Sequence, residues 1–247
     1  IKPAKGSGGK GILVIDHVAE GFFVKPSGAR LTLQDVERHA SNILSGLYSL
    51  GGSPDVAVVE ALINFDDRLS EYTYEGVPDI RVIVFLGYPV MAMMRLSTAA
   101  SDGKANLHQG AVGVGLDIAT GTAIRGVQFD RTRHDHPDTG HELASLHIPD
   151  WRTLLLLAAG CYEMTGLGYL GTDMVLDRDQ GPMLLELNAR PGLAIQMANG
   201  EGLRRRLDLI EQQPPGASPE ARVDFAQRHF ARRSELEAIA DAAEATA

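Results

Sequence analysis

Residues 168–192 read GYLGTDMVLDRDQGPMLLELNARPG, and the way this stretch pairs with itself decides the fold. Two apolar runs, 168–176 and 182–187, flank Asp177-Arg178-Asp179-Gln180-Gly181, the pattern of two antiparallel strands joined by a tight connection. If Asp177 and Pro182 close a four-residue loop, the ladder sets Asp173 directly opposite Glu186, and Asn188 projects from the same face two residues on. Side chains so placed lie about 5 Å apart, where two carboxylates repel by about 3 kcal/mol at an effective dielectric of about 20. Neutralising either carboxylate is then expected to leave stability unchanged or raise it. Two carboxylates and an amide oxygen form a hard-oxygen set suited to Mg²⁺, which keeps waters and shares phosphate oxygens. A solvent-facing hairpin is the plainer alternative, and Leu184, Leu185 and Leu187 count against it by marking a partly buried sheet.

Upstream, Ile80–Leu86 and Val90–Leu96 flank Gly87-Tyr88-Pro89 and predict a hairpin. Residues 97–110 (STAASDGKANLHQG) are polar and turn-rich, a functional loop followed by strands at 111–118 and 123–128. Asp150 is placed to cap a helix whose Trp151, Leu154, Leu155, Ala158, Cys161 and Tyr162 share a face and which Gly166 ends. Cys161 is then a core residue. Nearer the start, Thr32 and Asp35 form a capping box for a helix with Leu33, Val36, Ala40, Ile43, Leu44 and Leu47 on one stripe, and a strand is expected at Val56–Ile63. A further helix follows Pro191-Gly192. After Pro214-Pro215 the composition shifts to Ala, Glu and Arg, which suggests an appended helix or tail. Hairpins mixed with helices argue an α+β fold with antiparallel sheets.

Gly6-Ser7-Gly8-Gly9-Lys10-Gly11 fits G-x-G-x-x-G, but it runs into the apolar Ile12–Ile15, expected to be a strand, where a dinucleotide fingerprint would open a helix. It is not a Walker loop either, since Ile12 stands where Lys-Ser or Lys-Thr would be required. The loop therefore resembles a lid over phosphates, its glycines letting backbone N–H groups approach oxygen. The chain has five lysines, and three of them (Lys2, Lys5 and Lys10) fall in the first ten residues, which favours an anion site over a flexible turn with solvated lysines.

The chain has 247 residues, formal charge −9 and 44% apolar residues, so it is a folded acidic protein with no overall field for gathering nucleic acid. Its longest apolar run, Leu154–Ala159, is far short of the roughly 20 residues that span a bilayer. One cysteine allows no internal disulfide and fits a reducing compartment such as the cytoplasm. The start at Ile1, without Met, reads as a fragment missing an N-terminal segment. His134, His136, His141 and His147 cluster, but no cysteine supports them and Pro137-Asp138-Thr139-Gly140 reads as a turn, so a surface loop is preferred to a zinc site.

A phosphate loop between strands followed by an Asp/Glu/Asn hairpin resembles the ATP-grasp superfamily. Lys2-Pro3 with the glycine loop, Asp79-Ile80-Arg81, Asn106-Leu107-His108-Gln109-Gly110 and Glu186-Leu187-Asn188-Ala189-Arg190-Pro191-Gly192-Leu193 look like the RimK-type glutamate ligases. S-D-G-K-A-N-L-H-Q-G and H-P-D-T-G-H look most like the RimK-related α-L-glutamate ligase homologues. The resemblance covers residues 1 to about 210. It implies two α+β lobes gripping a nucleotide: a small lobe at 1–63, a large lobe at 64–210, and a helical tail at 211–247.

By the same resemblance the cofactors are ATP and Mg²⁺, with Mn²⁺ as an alternative. Lys2 and the loop Gly6, Ser7, Gly8, Gly9, Lys10 and Gly11 hold phosphates, and Glu60, Ala61 and Leu62 of a linker strand read adenine. Asp67 binds ribose, with Asp66 nearly as good a choice, and Asp173, Glu186 and Asn188 hold metal. The implied reaction makes an acyl phosphate that an amine attacks to give an amide. Arg81, Arg95, Lys104 and Arg190 are candidates for the charge it needs, and His108 for placing acceptor or phosphate. RimK-type ligases carry Arg where Lys104 sits and Ser where Arg190 sits, which touches substrate identity more than ATP use. The expected partners are carboxylate and amine substrates, small or peptidic, and a homo-oligomer is compatible. The rival reading is an ATP-grasp protein that does not ligate: a small-molecule kinase or a catalytically inactive nucleotide-binding module.

Overall fold

The computed structural model describes residues 1–6, 9–49 and 51–232. Ser7 and Gly8 of the glycine loop, and residues 233–247 of the expected tail, lie outside the described residues. The chain divides into two compact units, Ile1–Ile63 and Asn64–Ala247.

In the first unit β1 (Lys2–Pro3) pairs antiparallel with β5 (Ala57–Val58), and β2 (His17–Ala19), β3 (Phe22–Val24) and β4 (Arg30–Leu31) form a separate antiparallel sheet. Helix α1 (Leu33–Leu44) starts at the expected capping box: the Thr32 hydroxyl accepts from the Asp35 N–H and the Asp35 carboxylate accepts from the Thr32 N–H at 2.9 Å. Two expected strands are corrected. Ile12–Ile15 is irregular, held by two backbone hydrogen bonds between Ile1 and Leu13 at 2.8 Å, and the strand expected over Val56–Ile63 shrinks to Ala57–Val58. β-Rich composition makes a strand only where a partner ladder exists, and β1 offers two residues. Val56, Val59 and Leu62 consequently stay exposed.

The second unit is built on one seven-stranded antiparallel sheet: β6 (Asp79–Phe85), β7 (Tyr88–Leu96), β8 (Val112–Leu116), β9 (Ala123–Gln128), β10 (Arg131–Arg133), β11 (Tyr169–Asp177) and β12 (Gly181–Asn188). Their order is β10-β9-β8-β7-β6-β11-β12. Helices α2 (Trp151–Thr165), α3 (Ile195–Asn199), α4 (Arg204–Glu211) and α5 (Pro219–His229) complete it. Asp150 does not cap α2 as expected, because it sits in the left-handed region at φ +53° and its side chain accepts nothing from the first turn. Trp151 anchors that end, its indole N–H donating to the Ile118 carbonyl at 2.9 Å, and Cys161 is buried as expected. Gly115 has a packing reason: a Cβ there would stand 2.4 Å from the Ala198 carbonyl oxygen, and the bare backbone lets α3 lie on β8. Residues 219–229 fold into this unit: Val223 and Ala226 are buried, and the Arg222 guanidinium reaches Glu163 of α2. Phe225 also packs edge-on against Tyr88 of β7, and Phe230 is buried, so two aromatic rings in an otherwise Ala-, Glu- and Arg-rich segment make the contact that average composition hid.

The hairpin 169–188 closes differently from the expected four-residue loop. Asp177 pairs with Gly181 around the three-residue loop Arg178-Asp179-Gln180, with Gly181 at φ +73° as such loops require. The Asp177 carboxylate accepts from the N–H groups of Asp179 and Gln180, and from that of Asn64 at 2.9 Å. The ladder then shifts by one residue: Leu184 opposes Met174, Leu185 bulges, and Glu186 opposes Asp173.

Candidate active site

Strand register brings four charged residues into a chain on one sheet face. Asp79 pairs with Arg95 across β6 and β7, and Arg81 pairs with Asp173 across β6 and β11. Asp79 and Arg81 are two apart, so they share a face. Arg81 forks onto Asp173, Nε to Oδ1 at 2.7 Å and Nη2 to Oδ2 at 2.6 Å. Arg95 forks onto Asp79 and also donates to Asp173 Oδ2 at 2.8 Å. Paired planar donors of this kind favour arginine over lysine.

Burial sets the two carboxylates apart. It pushes the Asp79 carboxyl up to about 6, although Arg95 pulls the other way, and the neighbouring Asp173 adds repulsion. Burial also works against ionised Asp173, but the hydrogen bonds and charges of Arg81 and Arg95 outweigh it and hold that carboxyl below its usual range. Asp173 is the member that keeps its charge to lower pH. The expected repulsion between bare facing carboxylates is therefore corrected, since two guanidinium groups already compensate Asp173.

Glu186 is exposed at the margin of this cluster, and the Asn188 amide bridges it, donating to Glu186 Oε1 at 3.1 Å and to Asp173 Oδ2 at 3.2 Å. Asp173, Glu186 and Asn188 thus come together. Their oxygen chemistry fits a hard divalent cation, with Glu186 the open ligand and Asp173 Oδ2 already accepting three hydrogen bonds. A bound Mg²⁺ would supply charge neutralisation for phosphate oxygens.

Three of the expected residues stand outside the cluster. Lys104 is exposed and pairs with Asp102 at 3.0 Å. His108 is exposed in a short helical turn whose start Asn106 caps, its Oδ1 accepting the His108 N–H at 3.0 Å. Arg190 is exposed and makes no ion pair among the described residues. Asp79 belongs to the cluster although sequence reasoning assigned it no role; its period-two spacing from Arg81 was the available signal.

In the first unit Lys2 Nζ stands 2.7 Å from Glu60 Oε2, joining two candidate nucleotide residues. Asp55 holds the base of the glycine loop, both oxygens accepting the Lys5 N–H at 3.2 and 2.9 Å. A Cβ at Gly6 would strike the Pro3 ring and one at Gly11 the Tyr48 side chain, so both glycines also have packing reasons. Gly9, at φ +73°, has open space around it, and Lys10 is exposed. Ala61 and Leu62 are exposed outside any strand. In the second unit Asp67 pairs with Arg178, whereas Asp66 is buried against Arg68 and caps the following turn. The histidine segment is not wholly surface: His136 is 1% exposed. No three His, Cys, Asp or Glu side chains among the described residues group to hold a metal.

An antiparallel α+β fold with a glycine loop and a carboxylate–amide hairpin defines a class. The chain belongs to the sugar-transfer associated ATP-grasp family, whose model matches residues 1–212, and its fold is the ATP-grasp fold. No curated protein matches it. Among solved structures, the ATP-grasp ligase PsnB complexed with minimal precursor is similar at 14% identity, with a TM-score of 0.32, over 84% of this chain and 47% of that one. The present chain therefore spans about half the length of that protein. No helix among the described residues is long and apolar enough to cross a membrane.

Proposed function

We propose that the chain is the ATP-using part of a carboxylate–amine ligase. The observation that carries this reading is the chain Asp79–Arg95–Asp173–Arg81 with Glu186 and Asn188 beside it. Phosphoryl transfer needs little covalent chemistry from a protein and much fixed charge, and this cluster holds two arginines in rigid forks next to hard oxygens. In the proposed reaction a substrate carboxylate oxygen attacks the γ-phosphorus, and the bond from phosphorus to the β–γ bridging oxygen breaks to release ADP. An amine then attacks the acyl carbon, phosphate leaves, and the nitrogen loses a proton to give the amide. ATP with Mg²⁺ is the proposed cofactor pair, Lys2 and the glycine loop the proposed phosphate contacts, Glu60 to Leu62 the proposed adenine contacts and Asp67 the proposed ribose contact. Lys104, His108 and Arg190 are proposed to face the acceptor.

The RimK-like sequence features favour an amino acid or peptide as one substrate. The family's association with sugar transfer adds sugar acids and amino sugars to the set. Incubating the protein with ATP, Mg²⁺ and pools of these compounds, then reading product masses and ADP, tests the reading. An amide product with ADP supports it. ADP and a phosphorylated product formed without any amine would replace it with a kinase, and no ATP turnover with any pool would overturn it.

A further inference from the structure

The segment His136-Pro137-Asp138-Thr139-Gly140 is closed on itself: the His136 N–H donates to the His141 carbonyl and the Gly140 N–H to the His136 carbonyl, both at 2.9 Å. It meets the loop 97–110 at the loop's entrance. His136 Nε2 lies 3.0 Å from the Ser97 carbonyl oxygen, and the Asp138 carboxylate accepts the Ala99 N–H at 2.8 Å. A carbonyl only accepts, so His136 carries its proton on Nε2, leaving Nδ1 to accept from the N–H groups of Asp138 and Thr139 at 3.4 and 3.3 Å. That is a neutral imidazole, and burial lowers its affinity for a second proton. Ser97 is held from a second side, its carbonyl accepting from the Tyr74 N–H at 3.0 Å. The loop's exit is fixed as well: the Gly110 carbonyl accepts from the Thr98 hydroxyl at 2.9 Å and the Gln128 amide at 2.8 Å. Ser97, Thr98 and Ser101 are buried, while Asp102, Lys104, His108 and Gln109 between the two anchors are exposed.

We propose that this turn is a clip, and that His136 and Asp138 are positioning residues that fix loop 97–110 so that Lys104 and His108 are presented to the acceptor substrate. The last clause rests on the ligase reading above; the clip itself does not. Neither residue needs to touch substrate, because each acts through the loop backbone.

Asp138 is exposed, so replacing it tests the clip without opening the core. Hydrogen exchange on the whole protein should show Asp138→Ala raising exchange at 97–104 by about tenfold or more, the loss expected for a hydrogen bond to a charged acceptor. Strand β7 and helix α2 should be unchanged, and Asp138→Asn, which keeps an accepting oxygen but loses its charge, should raise exchange by clearly less than Asp138→Ala. In ¹⁵N spectra His136 should be the neutral Nε2–H tautomer. With the amino-acid pool as probe, Asp138→Ala should raise the KM for the pool by about fivefold or more, while the KM for ATP stays within about twofold. Unchanged exchange in Asp138→Ala, a rise spread equally over β7 and α2, or an Nδ1–H tautomer overturns the clip. Equal rises in both KM values overturn the presentation of Lys104 and His108. A parent protein without amine-dependent ADP release refutes the ligase reading, and the exchange and tautomer measurements still decide the clip.

Discussion

Glu186 faces Asp173 because Leu185 is an extra residue in the ladder between β11 and β12. From the turn outward, Gly181 to Leu184 pair in a register that would bring Leu185 opposite Asp173 and Glu186 opposite the buried Thr172. The bulge cancels that offset by one residue, and with a period of two a one-residue shift exchanges the faces. Leu184 keeps its place opposite buried Met174, and Glu186 and Asn188 reach the charged face.

Deleting Leu185 should therefore leave Asp173 and Glu186 paired on a straight ladder, and Mg²⁺-ATP should still raise the melting temperature. Deleting Leu187 should instead turn Asn188 toward the face of Thr172 and abolish that rise. Thermal melts of the two deletions, with and without nucleotide, give the comparison; the opposite ranking would refute the assigned role of the bulge.

Asp173→Asn should destabilise the metal-free protein by about 3 kcal/mol, because Arg81 and Arg95 are left without their shared carboxylate in a mostly buried site. Glu186→Gln, at an exposed position, should change metal-free stability by no more than about 0.5 kcal/mol. Both should lose the stabilisation given by Mg²⁺-ATP through mass action. Full retention of the nucleotide effect in both variants would show the hairpin to be structural only.

The Asp79 carboxyl, pushed up to about 6 from an ordinary 3.8, makes a signed prediction. A raised folded-state value means the native state holds its proton more tightly than the unfolded chain. The stabilisation is complete below about 3.8 and is lost as pH rises through about 6. Asp79→Asn removes this dependence, so the melting temperature of the variant minus that of the parent should grow from pH 4 to pH 7, on the order of the window these values define. A difference that stays flat or falls across that window would contradict the raised value. His136 acts in the opposite sense: its lowered value withholds stability as pH falls below about 6.5.

Lys2→Ala should weaken Mg²⁺-ADP binding by about tenfold, the order expected for one charged phosphate contact. Glu60→Gln releases Lys2 from its 2.7 Å partner and should bind phosphate at least as well. Folding stability should move by less than about 1 kcal/mol in either variant, since the pair is partly exposed. Calorimetric titration reads the difference, and parental affinity in Lys2→Ala would remove Lys2 from the nucleotide site.

Much of this was legible because local signals and tertiary pairing agree. Thr32 and Asp35 form their box, the β6–β7 hairpin forms around Gly87, and Asp173 meets Glu186. The last succeeded through two offsetting departures, a loop one residue shorter than expected and a bulge one residue long, which no turn propensity reveals. Asp79 went unassigned because its partner Arg95 lies sixteen residues away and becomes its neighbour only in the finished ladder. Ile12–Ile15 misled because apolar β-branched residues signal a strand without signalling a partner. His136 misled in the other direction, its burial depending on the Ser97 carbonyl far along the chain.

The bulge at Leu185 also affects how the protein behaves in a crowded solution. β12 is the last strand of its sheet, and a terminal strand offers an uninterrupted row of N–H and C=O groups on which another chain can extend the ladder. An extra residue midway breaks the regular spacing of that row and places the Glu186 carboxylate beside it, while the opposite margin, β10, carries exposed Arg131 and Arg133. Straightening β12 by deletion would therefore be expected to keep nucleotide binding yet lower the concentration at which the protein begins to aggregate.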